Sequence, residues 1–277
     1  METPPWHPTL MILGPGGVKG FLELGAIDCL SRRGILTDIT TIVGVSVGAM
    51  IGVLYAAGYT IAEITGAAIE TDLFSEPPHI FLNDIKDYQG LISHDILKQK
   101  INFLLIQKFN RVPTLGELHE LTHKHFVAVT TNLNHDRPEY LDHLTHPDLP
   151  TTEAVLMSMN IPIFFHRIFY QGSTFIDGAF SDPLPIVKYD DLQRDIIAIT
   201  IDSSSSELGD GFVSYMTKTL QCSMTRLKRL AMEAKSNRVR HLDIKTDIRD
   251  VIGFSVGTVE RALMFCQGNN QAEAFAP

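Results

Sequence analysis

A serine set between two glycines is the residue best placed for covalent chemistry in this 277-residue chain. Gly44-Val45-Ser46-Val47-Gly48 spells G-x-S-x-G where an apolar run, Ile39 to Val43, gives way to a helical one, Val47 to Ala57. A serine at so sharp a strand-to-helix turn is strained, and small neighbours let the backbone close without a clash. The turn lifts the hydroxyl clear of the sheet and sets it over a helix N-terminus. There, free N–H groups and the helix dipole favour the negative charge of a tetrahedral intermediate. The same letters also describe a glycine-rich turn with an incidental serine, so neighbouring sequence has to decide. Gly16-Gly17-Val18-Lys19-Gly20 offers backbone largely free of side chains at the end of the first apolar run, Thr9 to Leu13. Its N–H groups are placed to meet the oxyanion that Ser46 would create. A dinucleotide fingerprint fits this loop less well, because Pro15 takes the first glycine position and no acidic residue closes the second strand. A phosphate loop fails too, because Gly20 and Phe21 follow Lys19 where serine or threonine belongs. A base comes from Asp177-Gly178-Ala179, after the apolar segment ending at Ile176. A carboxylate kept dry enough to be basic can orient and deprotonate a serine, although an isolated Asp-Gly is more often only a turn.

In that order the three motifs resemble the patatin-like phospholipases, the lipid acyl hydrolases that carry a PNPLA-type domain. The family pattern runs glycine-rich loop, G-x-S-x-G, then Asp-Gly-Gly/Ala, here Gly16 to Gly20, Gly44 to Gly48 and Asp177 to Ala179. Weaker likenesses lie between them: Gly90-Leu91 before a helix, Thr131-Asn132-Leu133 after a strand, and Ser158 with Pro162 ahead of Asp177. The resemblance covers about residues 9 to 202 and implies Ser46 as nucleophile, Asp177 as base, and the N–H groups of Gly16 and Gly17 as the oxyanion hole. Gly20, Gly44, Gly48, Gly178 and Ala179 complete the motifs. Pro15 departs from the family's usual glycine and supplies no N–H. The resemblance implies a dyad that works without metal, cofactor or catalytic histidine, cleaving fatty acyl esters of phospholipids or other acyl lipids in lipid catabolism. The implied fold is α/β: a three-layer domain with a central, mainly parallel sheet flanked by helices.

Rival patterns point elsewhere. His119-Glu120-Leu121-Thr122-His123 matches H-E-x-x-H, the signature of zinc metalloproteases, on an expected helix. Leu115, Leu118 and Leu121 are expected to claim the buried face of that helix, and no third ligand follows at a recognised spacing. His241 arrives after Asp177, in the order of a Ser-His-Asp hydrolase triad. A catalytically silent lipid-binding protein on the same fold is the third alternative. Between Lys218 and Arg240 the basic residues Lys218, Arg226, Lys228, Arg229, Lys235, Arg238 and Arg240 meet Glu233 alone. That run is expected to form a basic amphipathic helix able to lie on an anionic membrane, or simply a solvated face. Leu73-Phe74 and Ile80-Phe81-Leu82, around Pro77-Pro78, could dip into lipid or pack as a buried loop.

The elements that must position these residues alternate. Thr9 to Leu13 reads as strand. Val18, Phe21, Leu22, Gly25, Ala26, Cys29 and Leu30 then repeat at helical spacing, with Gly34 where a C-terminal cap belongs. A second strand and the helix closed by Gly58 follow, so strand, helix, strand, helix implies right-handed βαβ units and a parallel sheet. Further helices are expected over His94 to Phe109, Thr114 to Lys124 and Thr151 to Met159. Strands are expected over His125 to Thr131, Glu139 to Asp142, Arg167 to Tyr170, Thr174 to Ile176 and Ile196 to Ile201. The segment Ile39 to Ala62 carries no charge and is long enough to span a bilayer, but its threonines and glycines fit a buried strand followed by a buried helix. A single domain is expected over 1–277, with a catalytic core at about 9–202 and a helical part at about 207–277 packed on it. The composition is 44% hydrophobic and 20% charged, which excludes a disordered chain, and the net charge of −9 argues against a nucleic-acid binder. Cys29, Cys222 and Cys266 lie far apart, which favours a reducing compartment. Met1 to Trp6 holds neither a basic nor an apolar signal region, so a cytoplasmic chain, peripheral at membranes, is expected rather than one secreted by a cleaved signal.

Overall fold

The computed structural model describes residues 6–70, 87–202, 212–247 and 256–276. The first strand, β1 (Pro8–Leu13), turns through a 3-10 segment into α1 (Gly20–Arg32). Then come β2 (Thr41–Val45), α2 (Val47–Ala56), α3 (Ile61–Glu70), β3 (Gly90–Ile92), α4 (Asp95–Phe109) and α5 (Leu115–Thr122). The middle of the chain holds β4 (His125–Asn132), β5 (Arg137–Leu141), α6 (Thr151–Ser158), β6 (Ile163–Phe165), β7 (Ile168–Tyr170) and β8 (Ser173–Asp177). The chain continues with α7 (Ile186–Tyr189), β9 (Asp195–Asp202), α8 (Phe212–Ala234), β10 (Val239–Lys245) and α9 (Thr258–Glu273).

Eight strands form the main sheet in the order β10-β9-β1-β2-β4-β8-β7, with β5 also on β4. The run from β10 to β4 is parallel, and β8, β7 and β5 are antiparallel additions. The central strands are covered on both faces, which is why they read as continuous apolar runs. Alternate residues go to opposite layers. Leu10, Ile12, Val43, Val45, Val127 and Val129 share one core with Ile186 of α7 and Ala231 of α8. Met11, Leu13, Ile42, Phe126 and Ala128 share the other with Leu22 of α1, Ile51 of α2, Ile101 of α4 and Val155 of α6. Helices therefore flank a central sheet in three layers. The uncharged segment from Ile39 divides into β2 and α2, as its residues imply. No helix among the described residues is long and apolar enough to cross a membrane.

The C-terminal part differs from the helical expectation. It contributes β10, which pairs in parallel with β9 from Val239↔Ile196 to Lys245↔Asp202 and widens the sheet. It also contributes α9, which crosses α1 at backbone contact: a Cβ on Gly25 would lie 1.9 Å from the Phe265 carbonyl oxygen, and one on Gly268 1.9 Å from that of Leu22. A two-stranded parallel sheet of β3 and β6 was not foreseen either. The apolar segments Leu73-Phe74 and Ile80-Phe81-Leu82 lie outside the described residues.

Candidate active site

Ser46 occupies the turn between β2 and α2 with φ 57 and ψ −126, a left-handed conformation that costs a non-glycine residue about 1–3 kcal/mol. Its neighbours permit the turn by having no side chain. A Cβ on Gly44 would lie 2.3 Å from the Ala49 Cα, and one on Gly48 2.4 Å from the Leu13 carbonyl oxygen. The strained backbone is then tied down. The Ser46 N–H donates to the Ser158 hydroxyl at 2.9 Å, and Ser158 Oγ donates to the Val129 carbonyl at 2.6 Å. Ser158 thus links the end of α6 to β4 and to the serine turn. The Ser46 carbonyl accepts from Ala49 N–H at 2.9 Å and opens α2.

Asp177 closes β8 opposite Thr130 of β4. Its N–H donates to the Asn160 carbonyl at 2.8 Å, and its carbonyl accepts from Thr131 Oγ1 at 2.9 Å. Its carboxylate accepts from Ala179 N–H at 2.9 Å and from the Ser46 hydroxyl. Ser46 is 6% exposed and Asp177 2%. Burial pushes the Asp177 carboxyl up to about 7, against the pull of the hydrogen bonds from Ser46 and Ala179. A carboxylate of that basicity can take a proton from a serine near neutral pH. Gly178 sits against the Val129 backbone and Gly20 against the Val47 side chain.

Both residues face a cavity of about 340 Å³ whose lining includes Pro15, Gly16 and Gly17. Among the described residues, neither the Gly16 nor the Gly17 N–H is taken by a backbone acceptor. Gly17 holds φ +57, which favours glycine. The structure therefore brings together Ser46, Asp177, Gly16 and Gly17, as the order of the motifs implies. Sequence reasoning noted Ser158 and Thr131 without a role and did not single out Asn160 as part of the site. It also passed over Glu23 of α1, whose fully buried carboxyl is raised well above the ordinary carboxylate range by burial, against the pull of the Gly14 backbone and Lys228.

The rival constellations separate. His119 Nδ1–H donates to the Lys124 carbonyl at 3.0 Å and its ring stacks on His143 at 3.7 Å between centroids. His123 has left the helix, with φ 55 at the C-cap, so the i,i+4 alignment that a paired-histidine metal clasp needs is lost. Among the described residues no group of three or more His, Cys, Asp or Glu side chains could hold a metal ion. Leu121, expected on the buried face, is 53% exposed, since Leu115 and Leu118 fill that face alone. His241 donates from Nε2 to Thr200 Oγ1 at 2.7 Å, because the threonine hydroxyl itself donates to Asp243 at 2.8 Å. Burial lowers the His241 imidazole to about 4, so it is neutral and engaged away from Ser46. The basic run also divides. The helix stops at Ala234, and Lys235 donates to the Val239 carbonyl, Arg238 pairs with Asp195 at 3.0 Å and Arg240 lies over the Trp6 ring.

The patatin-like phospholipase family model matches residues 11–188. An uncharacterized protein of Acanthamoeba polyphaga mimivirus is 30% identical over 205 residues, 73% of this chain and 67% of that protein. A probable lipid hydrolase of Invertebrate iridescent virus 6 is 28% identical over 192 residues, 67% of this chain and 65% of its own length. Among solved structures, VipD of Legionella pneumophila superposes with a TM-score of 0.56 at 17% identity, covering 98% of this chain and 66% of VipD. The matched regions thus span about two thirds of these relatives.

Proposed function

Since this chain belongs to the patatin-like phospholipase family, we propose that it hydrolyses fatty acyl esters of lipids through Ser46 and Asp177. The Ser46 hydroxyl attacks the acyl carbonyl while its proton passes to Asp177. The tetrahedral oxyanion is met by the N–H groups of Gly16 and Gly17, with the N-terminus of α2 adding a favourable dipole. Asp177 returns the proton to the leaving alcohol oxygen as the C–O bond breaks, leaving an acyl-serine. Water then loses a proton to Asp177, attacks the acyl carbon and releases the fatty acid, and Ser46 regains its proton. No step calls for a metal or cofactor.

One observation carries this reading: the Ser46 hydroxyl is hydrogen-bonded to a buried carboxylate whose pKa lies near 7, at a cavity also lined by the glycine loop. The name of the iridescent-virus relative, a probable lipid hydrolase, supports the substrate class. Labelling with a fluorophosphonate followed by peptide mapping tests it. The label should sit on Ser46, vanish in Ser46→Ala and slow markedly in Asp177→Asn. Unlabelled Ser46, or normal ester hydrolysis by Asp177→Asn, would overturn it.

A further inference from the structure

Helix α8 lies outside the matched residues 11–188, yet it walls the catalytic cavity. Lys218, Gln221, Thr225 and Lys228 all line that cavity. They are spaced i, i+3, i+7 and i+10, a single stripe along the helix. Cys222 and Met224 of the same helix line the cavity too, and Thr225 is exposed, so the stripe flanks the apolar face by which α8 packs through Met224, Ala231 and Met232. It carries two ammonium groups, an amide and a hydroxyl. Lys228 is braced: its Nζ contacts Asp243 Oδ1 at 2.5 Å and the Ile201 carbonyl at 3.5 Å, and Asp243 is held in turn by Lys245 at 3.1 Å. The Asp202 carboxylate, which also lines the cavity, is engaged by Lys245 at 2.5 Å. Buried Lys19 adds a third ammonium to the lining. The rest of the lining includes Ile161, Phe164 and Phe180, which suit an acyl chain.

We propose that the α8 stripe, Lys218 and Lys228 with Gln221 and Thr225, binds the phosphate of a substrate headgroup, so that Ser46 is presented with acyl esters of phospholipids or lysophospholipids in preference to neutral glycerides. This rests on the reading of Ser46 as nucleophile. Lysine ammonium and phosphate form charge-assisted hydrogen bonds, stronger than neutral ones, and a partly enclosed cavity screens them less than open water does. The positive charge that seemed suited to a membrane surface thus serves, in part, the cavity itself.

The full chain is assayed on two lauroyl esters, lauroyl lysophosphatidylcholine and monolauroylglycerol, below their micelle concentrations. Wild type should favour the phosphate-bearing ester in kcat/KM by at least about tenfold, the size of one charged hydrogen bond. Lys218→Met and Lys228→Met should each cut that ratio about tenfold to a hundredfold, mainly through KM, and Lys218→Arg should keep most of it. Inorganic phosphate should compete with the lysophospholipid in wild type and lose that effect in the Lys218→Met/Lys228→Met double variant. A ratio unchanged by the substitutions, or losses equal on both esters, would overturn the proposal. Competition by inorganic phosphate with an unchanged ratio would mean that the stripe takes free phosphate and not a headgroup, which overturns it as well. Lys228→Met leaves Asp243 with fewer partners and can lower stability, so Lys218→Met and Gln221→Leu read the selectivity without disturbing that pair. Should wild type cleave neither ester and resist the fluorophosphonate, the role of Ser46 fails. The headgroup inference is then read by titrating Ser46→Ala with both lipids. Tighter binding of the phosphate-bearing one, erased by Lys218→Met, supports it, and equal binding sinks it.

Discussion

The serine turn between β2 and α2 and the histidine pair on α5 both match short catalytic patterns, but the backbone treats them differently. At the serine turn the two glycines that flank the nucleophile are themselves demanded by geometry. Ser46 holds φ 57, and a side chain on Gly44 or Gly48 would meet backbone atoms at 2.3 and 2.4 Å. On α5 the spacers answer to nothing catalytic. Thr114 and Glu117 form a capping box that starts an ordinary helix, and His123 turns out of it at φ 55. A pattern whose glycines are sterically required identifies a structure, whereas one whose spacing answers to nothing in the backbone identifies only a composition.

The contrast is most severely tested by activity. Ser46→Ala and Asp177→Asn should each lower kcat/KM by at least ~10³, since nucleophile and base act as a unit. A loss under tenfold in either would reduce the serine turn to the same standing as the histidine pair.

Next in size is the thermodynamic cost of the base. With its pKa pushed up to about 7 from an ordinary aspartate value of 3.8, Asp177 binds its proton more tightly in the folded state than in the unfolded one. Unfolding free energy should therefore fall as pH rises from about 4 through 7, by up to roughly 4 kcal/mol for this group. Asp177→Asn should remove that cost, raising Tm at pH 8 and changing it little at pH 4. In the wild type, kcat/KM should rise with pH and level off above about 7, because the ionised carboxylate is the working form. A Tm gain that is the same at both pH values, or a rate falling through neutrality, would contradict this assignment.

Smaller again is the brace beneath the turn. Ser158→Ala takes away the acceptor for the buried Ser46 N–H and the donor to the Val129 carbonyl, and should cost about 1–3 kcal/mol of stability. A matched substitution on α5, Thr122→Ala, loses one part-buried hydroxyl bond to the Leu118 carbonyl and should cost about 1 kcal/mol or less. Denaturant titration of both variants measures the difference.

Most of the frame was legible because buried parallel strands leave continuous apolar runs punctuated by glycine, as at β1, β2 and β9. What escaped depended on distant partners. β10 mixes Arg240, His241, Asp243 and Lys245 with three apolar residues at the sheet's edge and so reads as surface. The basic run was cut short because the Asp190 carboxylate accepts from Ser236 N–H at 2.6 Å and from its hydroxyl at 2.8 Å, contacts invisible in local spacing. Ser158 stands 112 positions from Ser46, so its part in the site is tertiary alone. Likewise the polar stripe of α8 declares itself only once the cavity it faces is known.

The smallest expected effect on catalysis belongs to the histidines. The His119 ring is stacked on His143, whose own ring meets His125 edge-on at 4.6 Å, and His125 Nε2 is paired with Asp142 at 2.9 Å. Burial and the neighbouring His119 and His125 lower the His143 imidazole below its ordinary value, so this cluster favours the uncharged ring there. His119→Ala should therefore cost about 0.5–1.5 kcal/mol through the lost stack and the hydrogen bond to Lys124, with no change in the fluorophosphonate rate. His123→Ala, at an exposed C-cap, should be nearly silent in both assays. Esterase rates before and after EDTA should agree within about twofold, a difference no larger than ~0.4 kcal/mol in barrier. Inactivation by EDTA that added zinc reverses, or a tenfold loss in His119→Ala, would put the α5 pattern back into the chemistry and erase the distinction drawn between the two regions.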